Sequence, residues 1–330
     1  VILRFLNLRY LFHSALQSIR EFAGRGKGLM NRHRHTSVFL VVVLFFLAPV
    51  SALAQLTTPL AGSSGTTTAS LGQGSLMTAC GWMTTTTATQ PAALANFAFT
   101  QNAVLTTEAG VAASAPTTAA RLFVDYSVAS GSNSGVALAN PSNSPITLNV
   151  QLNNAQGNVT TCPNQTVPAE GHLAMFASQL CPNITNPFLG TLTLTSSVPF
   201  VATTLLSGSN SHEEALYNSL PVATPGVPPA GSSLYFSQFA DGGGFSTEVL
   251  LMNLTGTAIT GRVSFFGDSG QPATLNFGGS IGSVNTLNYS IPGNGMQKFV
   301  STGSTLGTPL QAGFVVVTST NGALPSGAVI

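Results

Sequence analysis

Charge is what this sequence has least of. Asp, Glu, Lys and Arg together make up 6% of its 330 residues, and the cations are unevenly placed. Seven of the ten (Arg4, Arg9, Arg20, Arg25, Lys27, Arg32 and Arg34) precede residue 35. From Gln55 onward only Arg121, Arg262 and Lys298 remain, against eight acids, which leaves a net charge of −5. Such a surface has no electrostatic footprint for nucleic acid, so no nucleic-acid partner is expected. Histidine is nearly as scarce: only His172 and His212 follow residue 54, which argues against hydrolysis by a histidine base. The three cysteines, Cys80, Cys162 and Cys181, form no CxxC pair and have no nearby histidine pair, so zinc-ligand spacing is missing. Few charges combined with 44% hydrophobic residues also excludes a solvated disordered chain.

What the chain has instead is an internal duplication. Residues 122–157 slide onto 235–270 by an offset of 113, without a gap. Val136-Ala-Leu-Ala-Asn140 falls on Val249-Leu-Leu-Met-Asn253, Tyr126 on Phe239, and Gly157 on Gly270. Further along, Pro168-Ala-Glu-Gly171 matches Pro292-Gly-Asn-Gly295, and Gly190 matches Gly313. Within the aligned block no acid is shared: Asp125 meets Gln238 and Glu248 meets Gly135. The shared positions are apolar, Gly, Asn or Ser/Thr, which serve packing and turns; Asn140 and Asn253, ending matching strands, are expected to cap turns.

The first 54 residues read as an address. Met30, a plausible initiator, opens a basic stretch. Residues 38–47 (VFLVVVLFFL) are unbroken apolar, and Ser51-Ala-Leu-Ala54 supplies small residues before Gln55. This is the three-part pattern of a secretory signal helix with cleavage after Ala54. The apolar run is short for an anchor, which needs about 20 residues.

Residues 55–92, rich in Thr, Ser and Gly, read as a linker. Residues 93–120 read as two strands that form the tail of an earlier, degenerate copy, because 93–114 weakly resemble 204–225. Residues 121–230 and 231–330 are then the two full repeats, the second ending inside a strand. Within the first, Ile146, Leu148, Val150 and Leu152 alternate with polar residues, the mark of a half-buried strand. Short strands with turn signals at about 8–12 residue spacing indicate an all-β sandwich. Cys162 and Cys181 each precede a proline, in segments expected to be loops. A bridge between them would contribute about 3 kcal/mol by loop closure. With three cysteines the pairing is open, and Cys80 is the odd one.

Over about residues 93–330 the chain resembles tandem immunoglobulin-like or fibronectin type III-like sandwiches of secreted bacterial repeat proteins. The resemblance is carried by Tyr235-Phe-Ser-Gln-Phe-Ala-Asp-Gly-Gly-Gly-Phe-Ser-Thr and Val249-Leu-Leu-Met-Asn. It implies an all-β fold of tandem sandwiches after the signal helix, export to the extracellular medium or the cell-envelope surface, and a non-enzymatic role in adhesion or scaffolding. Envelope or matrix polysaccharide or protein is the expected partner, with membrane contact only through the signal segment. No catalytic residue, metal or cofactor is expected. His212-Glu213-Glu214 is the densest polar cluster and reads as a solvated loop; His172 stands alone after a turn. Asp241-Gly-Gly-Gly lacks the alternating oxygens of a calcium loop. A carbohydrate-binding module is the alternative, with Tyr126, Tyr235, Phe239 and Phe245 as ligand-face candidates. A secreted hydrolase using His212 and Glu213 is the third reading.

Overall fold

The computed structural model describes residues 2–5, 55–57, 80–85, 90–101, 104–209, 214–303 and 307–330. The expected signal helix, with Met30 and the cleavage point at Ala54, lies outside the described residues, as do His212 and Glu213. The chain divides into two compact units, Val1–Pro91 and Ala92–Ile330.

In the first unit β1 (Ile2–Phe5), β2 (Gln55–Thr57) and β3 (Gly81–Thr84) form an antiparallel sheet in the order β2-β1-β3. The stretch read as a linker therefore contributes two strands. Cys80, just before β3, is a buried free thiol, and burial pushes its pKa up.

The second unit opens with a hairpin, β4 (Leu94–Gln101) and β5 (Val104–Ala112), the two strands expected there. The first sandwich follows as β6 (Thr117–Ser127), β7 (Ser132–Ala139), β8 (Ile146–Asn154), β9 (Val159–Val167), β10 (His172–Phe176), a one-turn helix α1 (Ala177–Leu180), β11 (Phe188–Ser209) and β12 (Ala215–Leu220). One long strand organises it. Residues 188–195 of β11 lie between β6 and β8, and β9 extends that layer. After a register break between Thr195 and Phe200, β11 pairs with β7 and β12, and β10 completes a second layer. The two layers close on one core, which includes Leu122, Val136, Leu148, Leu192 and Phe200. On β8 the expected alternation holds, with Ile146, Leu148, Val150 and Leu152 buried and Thr147, Asn149 and Gln151 exposed. Each such buried aliphatic side chain contributes about 1.5–3 kcal/mol.

The second sandwich repeats the order with β13 (Ser233–Asp241), β14 (Glu248–Met252), β15 (Ile259–Gly267), the short pair β16 (Leu275–Asn276) and β17 (Ser283–Val284), then β18 (Thr286–Ile291), β19 (Met296–Val300), β20 (Gln311–Ser319) and β21 (Ser326–Val329). Its layers are β13-β20-β15-β18 and β19-β14-β21, closed on a core around Phe239, Val263, Phe265 and Val315. Here β20 and β21, interrupted by a turn, stand where β11 runs unbroken in the first copy.

The offset of 113 holds for β7 on β14 and for β8 on β15, up to Gly157 on Gly270, but not for the strands before them. Gly190 stands opposite Val124, whereas its match Gly313 stands opposite Phe239. A bulge in β13 between Phe236 and Phe239 takes up the difference. Phe239 therefore occupies the core place of Val124, not the place of Tyr126, and the counterpart of Asp125 is Ala240. Cys162 and Cys181 are bridged, with Cα atoms 5.1 Å apart. Cys162 lies within β9 rather than in a loop, and Cys181 caps α1.

Candidate functional site

The repeated asparagines do more than cap turns. Asn140 and Asn253 are both fully buried. The Asn140 amide donates to the carbonyls of Ser144 (2.8 Å), Val167 (3.3 Å) and Pro168 (2.8 Å), while its Oδ1 accepts from Ser142 N and Oγ. Asn253 reproduces this set on Thr257, Ile291 and Pro292, with Thr255 as the donor. Asn140 N donates to Gly171 O and Asn253 N to Gly295 O, at 2.9 Å each. One side chain thus bonds three carbonyls, two in loops and one at the end of a strand, Val167 or Ile291, which is why the position recurs.

Four charged groups that do not repeat, Arg121, Asp125, Glu248 and Lys298, line one place, the seam between the two sandwiches. On β6, Arg121, Phe123 and Asp125 alternate onto the outer face. Opposite them lie Glu248, Leu250 and Met252 of β14 and Met296 and Lys298 of β19. Phe123, Leu220, Leu250, Met252, Leu254 and Met296 form an apolar cluster of their own. At one end of it the buried Arg121 donates from Nε to Thr193 Oγ1 (3.1 Å) and from Nη1 to Asn253 O (3.0 Å) and Asn294 Oδ1 (3.1 Å). Burial lowers the pKa of this guanidinium. At the other end Lys298 Nζ donates to Asp125 Oδ2 (3.3 Å) and makes an ion-pair contact with Glu248 Oε2 at 3.0 Å. A backbone bond, Met296 N to Ala155 O at 3.1 Å, crosses between them. Gly157 is required here: its φ is +82°, and a Cβ would collide with Gly293 O.

The sequence-derived candidates are placed apart from one another. Phe239 is only 2% exposed and packs edge-on against Phe265 at 5.7 Å, so burial removes it as a ligand-face residue. Tyr126 is half-buried against the first core. Tyr235 and Phe245 are exposed, at 71% and 56%. Asp241 is buried and accepts from Ser301 Oγ, which itself accepts from Thr247 N, so its carboxylate is fixed inside a turn. His172, on β10, is half-buried, which lowers its pKa. Among the described residues no three His, Cys, Asp or Glu side chains converge as metal ligands.

Sequence reasoning passed over Gly278-Gly-Ser-Ile-Gly282, which has the G-x-S-x-G spacing of a nucleophile elbow. The structure puts it in the turn joining β16 and β17, with Ser280 exposed, not on the strand-to-helix turn that such an elbow requires. The seam was also missed. Its signal was β14, where Val249, Leu250, Leu251 and Met252 are apolar on both faces, whereas β7 alternates.

These features define an all-β protein of tandem sandwiches held by an internal seam. No family model matches the sequence. No curated protein matches it either. Among solved structures it aligns with the crystal structure of PBSX exported protein XepA, at 13% identity over 69% of this chain and 86% of that chain. The TM-score is 0.21, too loose an overlap to carry an argument.

Proposed function

We propose that the protein is an exported, non-enzymatic scaffold of immunoglobulin-like repeats that acts in adhesion at the cell surface or in the extracellular matrix. The observation that carries this reading is the seam. Of the three cations after residue 54, Arg121 and Lys298 both fix one sandwich against the next. A chain that commits its scarce charge to the angle between repeats is built to hold that angle. Export is supported by the signal pattern at residues 30–54 and by the Cys162–Cys181 bridge, which suits an oxidising compartment. Envelope or matrix polysaccharide or protein is the partner class.

Cells that produce the protein offer the test. Removing residues 231–330 abolishes attachment to matrix, whereas His172→Ala and Ser280→Ala leave it intact. Loss of function on either single substitution would sink the reading in favour of a catalytic site.

The exposure of Tyr235 and Phe245 supports a second reading, a carbohydrate-binding module, since aromatic faces stack on sugar rings. Retention on insoluble polysaccharide that disappears in the Tyr235→Ala, Phe245→Ala double variant is its expected outcome. Equal retention of the variant and the parent removes it.

A further inference from the structure

Of the charged groups in the seam, Lys298 alone becomes a nucleophile on giving up a proton, and it stands between two carboxylates. Its Nζ lies 3.3 Å from Asp125 Oδ2 and 3.0 Å from Glu248 Oε2. The Lys298 and Asp125 side chains are only 17% and 18% exposed, so water has little access to the contact. Glu248 Oε2 is itself shielded from solvent and accepts no hydrogen bond from any described residue. At the other end of the seam Arg121 offers no such chemistry, because a guanidinium does not give up its proton in a protein.

The three groups come from three strands. Asp125 lies on β6 opposite Leu189 of β11, and its main-chain N donates to Ser134 Oγ at 2.9 Å. Its Oδ1 accepts from Ser132 Oγ at 3.0 Å, which leaves Oδ2 to face Lys298. Lys298 stands opposite Leu250, and Glu248 opposite Val300, on the paired strands β19 and β14. Lys298 and Glu248 are therefore diagonal neighbours on one sheet. Asp125 belongs to the other sandwich, 173 residues away from Lys298.

We propose that Lys298 and Asp125 condense to an amide that joins the two sandwiches covalently. The ion pair holds every atom required. One proton passes from Nζ to Oδ2, which leaves an amine beside a carboxylic acid. Nζ then attacks Cγ; the Nζ–Cγ bond forms and the Cγ–Oδ2 bond breaks. Glu248 Oε2 takes a second proton from Nζ and delivers it to the departing Oδ2, which leaves as water. The ammonium starts with three protons and the amide nitrogen keeps one. Glu248 ends as the carboxylate it began as, and nothing is oxidised or reduced. Ser132 Oγ, already donating to Oδ1, stabilises the charge that develops on that oxygen. The product has its partners in place, with the amide N–H facing Glu248 Oε2 and the amide oxygen accepting from Ser132 Oγ. Between free groups in water this condensation is unfavourable, but groups held in reacting geometry behave as though present at about 10⁵ M or more.

Until the bond forms, the contact is the ion pair described above. The proposal is therefore independent of adhesion, and its failure leaves the ion pair and the scaffold reading standing.

The test is the intact mass of the secreted full chain, with its disulfide reduced, followed as newly made protein ages. Asp125→Ala and Lys298→Arg serve as references, so that processing of the chain ends cancels. With the substitutions allowed for, the parent becomes lighter than both by one water. Peptic digestion of the parent yields a cross-linked peptide that contains Asp125 and Lys298. Glu248→Gln keeps the shape of the side chain and removes the base, and it slows the loss of water by about a hundredfold, while hydrogen exchange in β6 and β14 stays as in the parent. A parent that keeps its full mass overturns the proposal. So does a water lost equally from Asp125→Ala, or a cross-link carried by Glu248 in place of Asp125.

Discussion

Strands β7 and β14 occupy the same place in the two sandwiches, and they are built differently. Both turn a pair of aliphatic side chains inward, Val136 and Leu138 in one, Val249 and Leu251 in the other. Outward, β7 carries Ala137 and Ala139, whereas β14 carries Leu250 and Met252. The inner pair is dictated by the module. The outer pair is dictated by the neighbour, since β14 lies under the first sandwich. A strand that is apolar on both faces marks the side of a repeat that is covered, and a strand backed by alanines marks a side that is not covered in the same way.

The contrast can be broken in steps. The largest loss is expected where the copies are the same. Asn140→Ala or Asn253→Ala strips one buried carbonyl, of Val167 or Ile291, and two more accessible ones of their donor, and should cost about 3 kcal/mol in either sandwich, measured by urea unfolding. Leu250→Ala turns the β14 surface into that of β7. It should cost about 3 kcal/mol as a large-to-small change in a packed cluster, and calorimetry should show one transition dividing into two as the seam opens. A single unchanged transition would mean that the seam does not couple the sandwiches.

Replacing Cys162 and Cys181 by Ser acts on one side of the comparison only. The first sandwich should lose about 3 kcal/mol and lower the shared transition, while local opening within the second stays unchanged, read from hydrogen exchange resolved by strand. Lys298→Met should cost about 1 kcal/mol and make stability less sensitive to salt than in the parent. A variant as salt-sensitive as the parent would show that the ion pair contributes nothing.

The smallest effect concerns pH. Burial holds His172 below its ordinary value, so the unfolded chain takes up the proton first as pH falls. Stability is then fully present above about pH 6.5 and is lost progressively as pH drops toward the lower folded value. His172→Met places in the first sandwich the residue that the second has at Met296, and it should flatten that slope. Chemical denaturation at pH 5 and pH 8 measures it.

Much of the fold was legible because its periods are local. The alternation from Ile146 to Leu152 fixes one strand and its buried face. The matched Pro-x-x-Gly turns place the loops that the two asparagines serve. The spacing of Cys162 and Cys181 allows their bridge. The bulge in β13 was not legible, because an ungapped alignment that puts Tyr126 on Phe239 reads as well as the true register. Ring-bearing residues fit either place, and only the strand opposite decides. The seam was hidden for a related reason. Arg121, Asp125, Glu248 and Lys298 are scattered over 178 positions of sequence, and nothing in their spacing says that they share one interface.

By itself, then, the sequence determined the module: inward alternation, turn glycines, a repeated asparagine, and a chain too poor in charge and histidine for most chemistry. Those features depend on neighbours a few residues away, so a linear reading captures them. The tertiary structure alone decided what each outer face is for. Covering a sheet is a property of the molecule around it, and whether Leu250 lies in a seam or Tyr235 in open solvent depends on how β6 is aimed at β14, across more than 120 residues of chain.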